Sequence, residues 1–113
     1  MRVGIDAEEV ERIKKLASCE NKCSQVFCQP EIDYAQQQAN PFEHYAGFFC
    51  AKEAYFKAVG TGISGLGSLK NICVLHDENK KPYLMAYGKR IESISISHTK
   101  VFAQAIVILE DEK

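Results

Sequence analysis

Four side chains spread along the sequence have the chemistry to hold a cation and a phosphate group: Asp6, Glu53, Lys57 and His98. Magnesium commonly takes one or two carboxylates and completes its shell with waters and substrate oxygens. A lysine beside them adds a point charge for phosphate, and a histidine adds a donor that titrates near neutrality. Glu53 and Lys57 stand four apart in "FFCAKEAYFKAVGTG" (48–62), so on a helix they share a face. Lys52 is five from Lys57 and diverges from it by about 140°. The run then breaks into Gly60-Thr61-Gly62, where small residues let the backbone approach a bulky anion.

Each of these residues also has an ordinary structural role. Asp6 precedes Glu9 by three residues, the spacing of a capping box where a strand gives way to a helix, worth about 1 kcal/mol. Glu53 and Lys57 alone would make a surface pair worth about 0.3 kcal/mol. His98 closes the alternating run "SISISH" and shares a face with Ile94 and Ile96, which places it at the edge of a core. His44 and His76 have no such context and read as surface residues.

The elements that must position these groups follow from periodicity. "RVGI" alternates as a short strand, and from Asp6 onward Val10, Ile13 and Leu16 or Ala17 fall at helical spacing. Pro30 opens a helix over "PEIDYAQQQA" that Asn40-Pro41 ends. A third helix runs from about Phe42 to Val59 and stops at Gly60. "NICVLHD", "KPYLMAY", "SISISHT" and "VFAQAIVIL" are strand-like, with a hairpin turn at Asn79-Lys80 in which Asn79 is able to take the left-handed conformation. Helices followed by an antiparallel meander predict an α+β fold, with the N-terminal strand and helices packed on an antiparallel sheet in one domain over 1–113.

Composition narrows the function. Apolar residues are 46% and charged residues 26% of 113, ordinary for one globular core. A net charge of −1 gives no global affinity for nucleic acid or membrane, although Arg12, Lys14, Lys15 and Lys22 form a local basic stretch. No apolar run approaches the roughly 20 residues of a membrane span, and acids by position 6 rule out a signal peptide, so a cytoplasmic location is expected. Five cysteines, an odd number, predict reduced thiols. Cys19, Cys23 and Cys28 lack the second paired cluster of a zinc site.

Taken together, "VGIDAEEVERI", "GFFCAKEAYFKAVGTG" and "SISISHTKVFAQAIV" resemble the holo-acyl-carrier-protein synthases, the small type of 4′-phosphopantetheinyl transferase. The likeness keeps order and approximate spacing and covers nearly the whole chain. It implies transfer of the phosphopantetheine arm from coenzyme A to a serine of acyl carrier protein, releasing adenosine 3′,5′-bisphosphate. It implies that Asp6 and Glu53 bind Mg²⁺, and that Lys57 and His98 hold phosphate beside the Gly60-Thr61-Gly62 turn. Lys81, in "KKPY", matches a turn beside the adenine. Glu53 or Asp33, through a metal-bound or ordered water, would accept the serine proton. Arg12 matches an arginine that meets the acidic carrier protein, with Lys14 and Lys15 beside it. The family forms trimers with active sites between subunits. One departure is Phe48, where the family has arginine; it admits an alternative, a binding module of the same fold with weakened turnover.

Overall fold

The opening strand runs further than its apolar alternation predicts. In a computed structural model that describes residues 1–60 and 66–110, and the side chains among them except those of 66–68, β1 spans Arg2–Glu9. It pairs residue for residue with the antiparallel strand β6 (Phe102–Leu109), from Arg2 opposite Leu109 to Glu9 opposite Phe102. Asp6 therefore sits inside a ladder, opposite Ala105, and not at a strand-to-helix junction. The predicted Asp6–Glu9 capping box is corrected with it: α1 (Val10–Ser18) starts after Glu9, with no side-chain cap. Eight ladder positions outweigh one cap, because each extends a hydrogen-bonded pairing that the cap would interrupt.

Three helices follow α1. The seven-residue α2 (Glu20–Val26) was absent from the sequence reading; it is mostly polar and buries only Cys23 and Val26, too short a pattern to show a period. Helix α3 (Gln29–Gln36) carries its proline in the first turn, as expected. Helix α4 (Pro41–Val59) has the predicted extent and ends at Gly60, left-handed at φ 88°. A 3₁₀ turn, Leu66–Asn71, leads into the remaining strands.

Those strands do not form one meander. β2 (Ile72–His76), β3 (Pro82–Ala86) and β4 (Lys89–Ile91) make one antiparallel sheet. β5 (Ile94–His98) joins β6 and β1 in another, ordered β1-β6-β5. The break falls between β4 and β5, and β1 adds to the other edge of β6, a long-range pairing that local periodicity does not encode. In the β2–β3 turn the left-handed residue is Lys80 (φ 65°), not Asn79. The Asp77 carboxylate organises that turn by accepting the Asn79 and Lys81 N–H groups at 2.8 and 2.9 Å.

α4 packs on the β1-β6-β5 sheet and is buried along most of its length. The sheet's opposite face is left open among the described residues, with Val3, Ile5 and Phe102 each more than half exposed. No helix among the described residues is long and apolar enough to cross a membrane.

The thiol expectation also needs correction. Cys28 and Cys73 are disulfide-bonded, joining the start of α3 to β2; Cys19, Cys23 and Cys50 are free. A count of cysteines carries no information about two that are 45 residues apart in sequence but adjacent in space. Beside the disulfide, Lys52 Nζ lies 2.5 Å from Glu31 Oε1, both side chains fully buried. Glu31 also accepts the Val74 and Cys28 N–H groups, and Lys52 donates to the Val26 carbonyl at 2.7 Å. Burial pushes Glu31 up and Lys52 down, and each charge opposes the other's shift.

Among the described glycines the tightest approach is at Gly4, where a Cβ would fall 1.8 Å from the Ala54 carbonyl oxygen and 2.7 Å from the Ala58 nitrogen. Backbone cannot yield by that much without shifting the strand off the helix. Gly4→Ala is expected to lower unfolding stability by about 3 kcal/mol or more, read as the fall in urea midpoint.

Candidate active site

β1, the start of α1 and the second half of α4 bring three carboxylates and two cations together. Alternation along β1 points Asp6 and Glu8 to the same side of the sheet, toward α4. On α4, Glu53 and Lys57 follow one another by a turn, as their spacing predicts. The predicted Glu53–Lys57 pair is corrected, however: the Lys57 ammonium donates to Asp6 Oδ1 at 2.9 Å. Asp6 is the stronger partner because its buried carboxylate has little water to replace a cation, whereas Glu53 is half-buried. Asp6 Oδ2 is buried with no hydrogen-bond partner among the described residues.

Glu8 is the residue that sequence reading missed. Its carboxylate pairs with the Arg12 guanidinium, one helical turn ahead. Its pKa is pushed up to about 7, first by burial and then by Asp6, with Glu53 adding to the rise and Arg12 opposing it. The signal was present in "DAEE", but only if the strand is known to continue past Asp6. Glu53 is raised as well, by burial and then by Asp6, against Lys57 and Arg12. The Cys50 thiol, donating to the Ala103 carbonyl at 3.4 Å, is pushed up by burial and by both Asp6 and Glu8. Three acids are thus balanced by two cations, and hard oxygens are the donors on offer, the set that suits magnesium better than a thiophilic metal.

The other predicted residues lie around this centre or apart from it. Gly60 caps α4, its N–H on the Phe56 carbonyl; Thr61 and Gly62 lie outside the described residues. Lys81 is exposed in the β2–β3 turn. Asp33 is exposed on α3 and accepts from Gln29. Arg12, Lys14 and Lys15 are exposed on α1, with Arg12 over the Phe49 ring and Lys14 over the Phe42 ring. His98 is not beside Asp6. It ends β5, on the far side of β6, two strand spacings or roughly 10 Å from β1.

Around His98 the structure gathers residues that sequence reading placed on the surface. Glu43 Oε1 is 3.0 Å from His98 Nδ1. The His44 ring meets His98 edge-on at 4.9 Å, and His76 stacks flat on Tyr34 at 3.7 Å. His44 and His76 are half-buried, since β5 and β2 close over this end of α4.

The Cys28, Glu31 and Cys73 groups form the one trio of ligand-type side chains among the described residues whose donor atoms lie within 4.8 Å of each other. They are no cation site: the sulfurs are bonded together and Glu31 is already shared among Lys52, Val74 and Cys28.

Residues 2–108 match the family model of the 4′-phosphopantetheinyl transferase superfamily, and the chain belongs to that superfamily. Within it, the chain is similar to proteins called holo-(acyl-carrier-protein) synthase. The one from Thermoanaerobacter sp. (strain X514) is 42% identical over 117 residues, covering 94% of this chain and 84% of the relative. The one from Chloroherpeton thalassium is 39% identical and matched over the full length of both. A crystal structure of the Bacillus anthracis synthase in complex with CoA (3′,5′-ADP) is 39% identical, with a TM-score of 0.83 over 98% of this chain and 96% of that one. The Helicobacter pylori synthase in complex with coenzyme A is 26% identical, with a TM-score of 0.78 over 96% of this chain and 99% of that one.

The raised Glu8 pKa has a measurable consequence. An acid whose folded pKa exceeds its unfolded value, 4.5, binds more protons when folded, so stability is greatest below about pH 4.5 and declines as pH rises through 7. In a chelator-containing buffer, urea midpoints between pH 5 and pH 8 are expected to fall less for Glu8→Gln than for the wild type. Parallel profiles would contradict the placement of this carboxylate.

Proposed function

We propose that the protein transfers the 4′-phosphopantetheine group of coenzyme A to a serine of apo-acyl carrier protein, with Mg²⁺ as its metal and adenosine 3′,5′-bisphosphate as the leaving product. The observation that carries this reading is Asp6, buried beside Lys57 with Oδ2 unpartnered. A buried polar atom without a partner costs about 1–3 kcal/mol, and a divalent cation would remove that penalty. Asp6 and Glu53 would hold the ion, which when bound supplies positive charge to the pyrophosphate.

The remaining work falls to side chains. Lys57 is more than half exposed and can turn from Asp6 to a pyrophosphate oxygen. Gly60, with Thr61 and Gly62, shapes the nucleotide site, and Lys81 and His98 serve the same ligand. The serine oxygen attacks the phosphorus that carries the pantetheine arm. A new P–O bond forms, and the bond to the bridging oxygen breaks, leaving that oxygen on the adenosine 3′,5′-bisphosphate. The hydroxyl proton passes through an ordered water to Glu53, which is half-buried and makes no hydrogen bond to another described side chain. Asp33, exposed and engaged by Gln29, is the less favoured acceptor.

Arg12, Lys14 and Lys15 form the basic surface for an acidic carrier protein. The open apolar sheet face around Val3, Ile5 and Phe102 supports a homotrimer with sites between subunits, because such a patch is stabilised by association. It also accounts for the separation of His98 from Asp6 in one chain. The cytoplasm, where coenzyme A and carrier protein are available, is the location this reading implies. One residue favours the second reading, a coenzyme A-binding module of low turnover: Phe48 is buried at the position where the family resemblance implies an arginine.

Incubation with coenzyme A, Mg²⁺ and an apo-acyl carrier protein decides between them, with mass spectrometry of the carrier as readout. Modification is expected, and Glu53→Ala should slow it by about 10²-fold or more. Coenzyme A binding without modification of any carrier would establish the module instead.

A further inference from the structure

Arg12 is drawn in two directions. It belongs to the basic surface proposed for the carrier protein, yet its guanidinium pairs with Glu8 and lies over the Phe49 ring at 5.6 Å. Lys14, two residues on, lies over the Phe42 ring instead. β1 ends at Glu9 and α1 begins at Val10, so strand passes to helix with no loop between Glu8 and Arg12. The Val10 N–H donates to the Val101 carbonyl at 2.8 Å and Ile13 is fully buried, which fixes the first turn of α1. The junction of strand and helix, more than a helix face, aims this pair.

The surroundings of Glu8 set it apart from an ordinary surface ion pair. An exposed pair contributes little, because water replaces either partner. Here the Glu8 side chain is 16% exposed and that of Arg12 is 61% exposed. Asp6 and Glu53 both bear on the Glu8 carboxylate, and Arg12 opposes them. Asp6 Oδ2, in the same cluster, is buried and unpartnered. Three carboxylates against two cations leave an excess of one negative charge, which a divalent cation would turn into an excess of one positive charge. Lys57 stays beside Asp6 for the pyrophosphate, so the cation that can swing outward is Arg12.

We propose that Glu8 is a positioning residue that couples the metal to the carrier protein: it holds Arg12 in the metal-free protein and releases it to an acidic side chain of the carrier once a divalent cation shares the charge of the cluster. The cation and the carrier both rest on the transfer reaction proposed above. Glu8 acts from beside the Asp6–Glu53 pair and not as one ligand set with it. Among the described residues the donor atoms of these three acids do not all lie within 4.8 Å of one another. Magnesium keeps several waters, through which such a carboxylate is reached. Without the cation, the departure of Arg12 would strand Glu8 between two like charges. The carrier therefore docks best on protein that is ready to react, and by linkage it tightens the cation by the same factor.

Calorimetry on the full chain tests this with an apo-acyl carrier protein whose acceptor serine is replaced by alanine. It is run without coenzyme A, in Mg²⁺ and in EDTA at matched ionic strength. The wild type is expected to bind the carrier about fivefold or more tightly in Mg²⁺. In Glu8→Gln the affinity in EDTA should rise and the gain from Mg²⁺ shrink toward unity, because Arg12 is then released under both conditions. Arg12→Ala should bind weakly in both. A wild-type affinity indifferent to Mg²⁺, or a gain that survives whole in Glu8→Gln, overturns the proposal.

A second measurement reads the cation side, with Mn²⁺ as the probe and electron paramagnetic resonance of the free ion as readout. Arg12→Ala should tighten Mn²⁺ by about fivefold or more in the wild-type background and much less in the Glu8→Gln background. Equal tightening in both backgrounds overturns the proposal. If no variant binds the carrier under either condition, the transfer reading has failed, and the Mn²⁺ cycle decides Glu8 alone. Unequal tightening then supports its hold on Arg12, and equal tightening overturns it.

Discussion

The site depends on how closely β1 lies on α4. At Gly4 the strand backbone reaches the helix backbone at Ala54 and Ala58, a contact that no residue with a Cβ could make. Two residues along the strand, this approach delivers Asp6 to Lys57 and sets Glu8 and Asp6 near Glu53. A strand standing further off would leave Asp6 with water and Lys57 with Glu53, an ordinary surface pair. The alanines at 51, 54 and 58 and the small partners Ala103 and Ala105 on β6 serve the same closeness, all of them buried.

The other half of the molecule is organised by a buried ion pair. Glu31 and Lys52 are taken wholly out of water, and each is surrounded by backbone partners from α2, α3 and β2. Such a pair stabilises little on balance, because desolvation of the two charges offsets their attraction. Its effect is positional: removing either partner strands a charge, so only one arrangement of these elements satisfies both. The Cys28–Cys73 disulfide lies beside it and ties the same elements. Together they set Tyr34 against His76.

α4 is shared by both halves, which is why the sequence motif on it is dense. Glu43 and His44 in its first turns meet His98, Lys52 enters the buried pair, and Glu53 and Lys57 face the carboxylate centre. Electrostatics differ between the two ends. At one, burial and then Asp6 raise Glu8 and Glu53; at the other, burial and then a neighbouring imidazole lower His44 and His76.

Much of this was legible in the sequence. The extent of α4, its stop at Gly60, the Glu53–Lys57 spacing and the shared face of Ile94, Ile96 and His98 follow from local periodicity, which depends only on neighbours in the chain. The family likeness was carried by motif order and spacing, and residues 2–108 match the superfamily. What tertiary structure decided were choices between distant partners. Those are the pairing of β1 with β6 past Asp6, the two separate sheets, Lys57 on Asp6, the Cys28–Cys73 bond, and the burial of His44 and His76. Each depends on which groups the packed chain brings within a few ångströms, and no window of the sequence contains both partners.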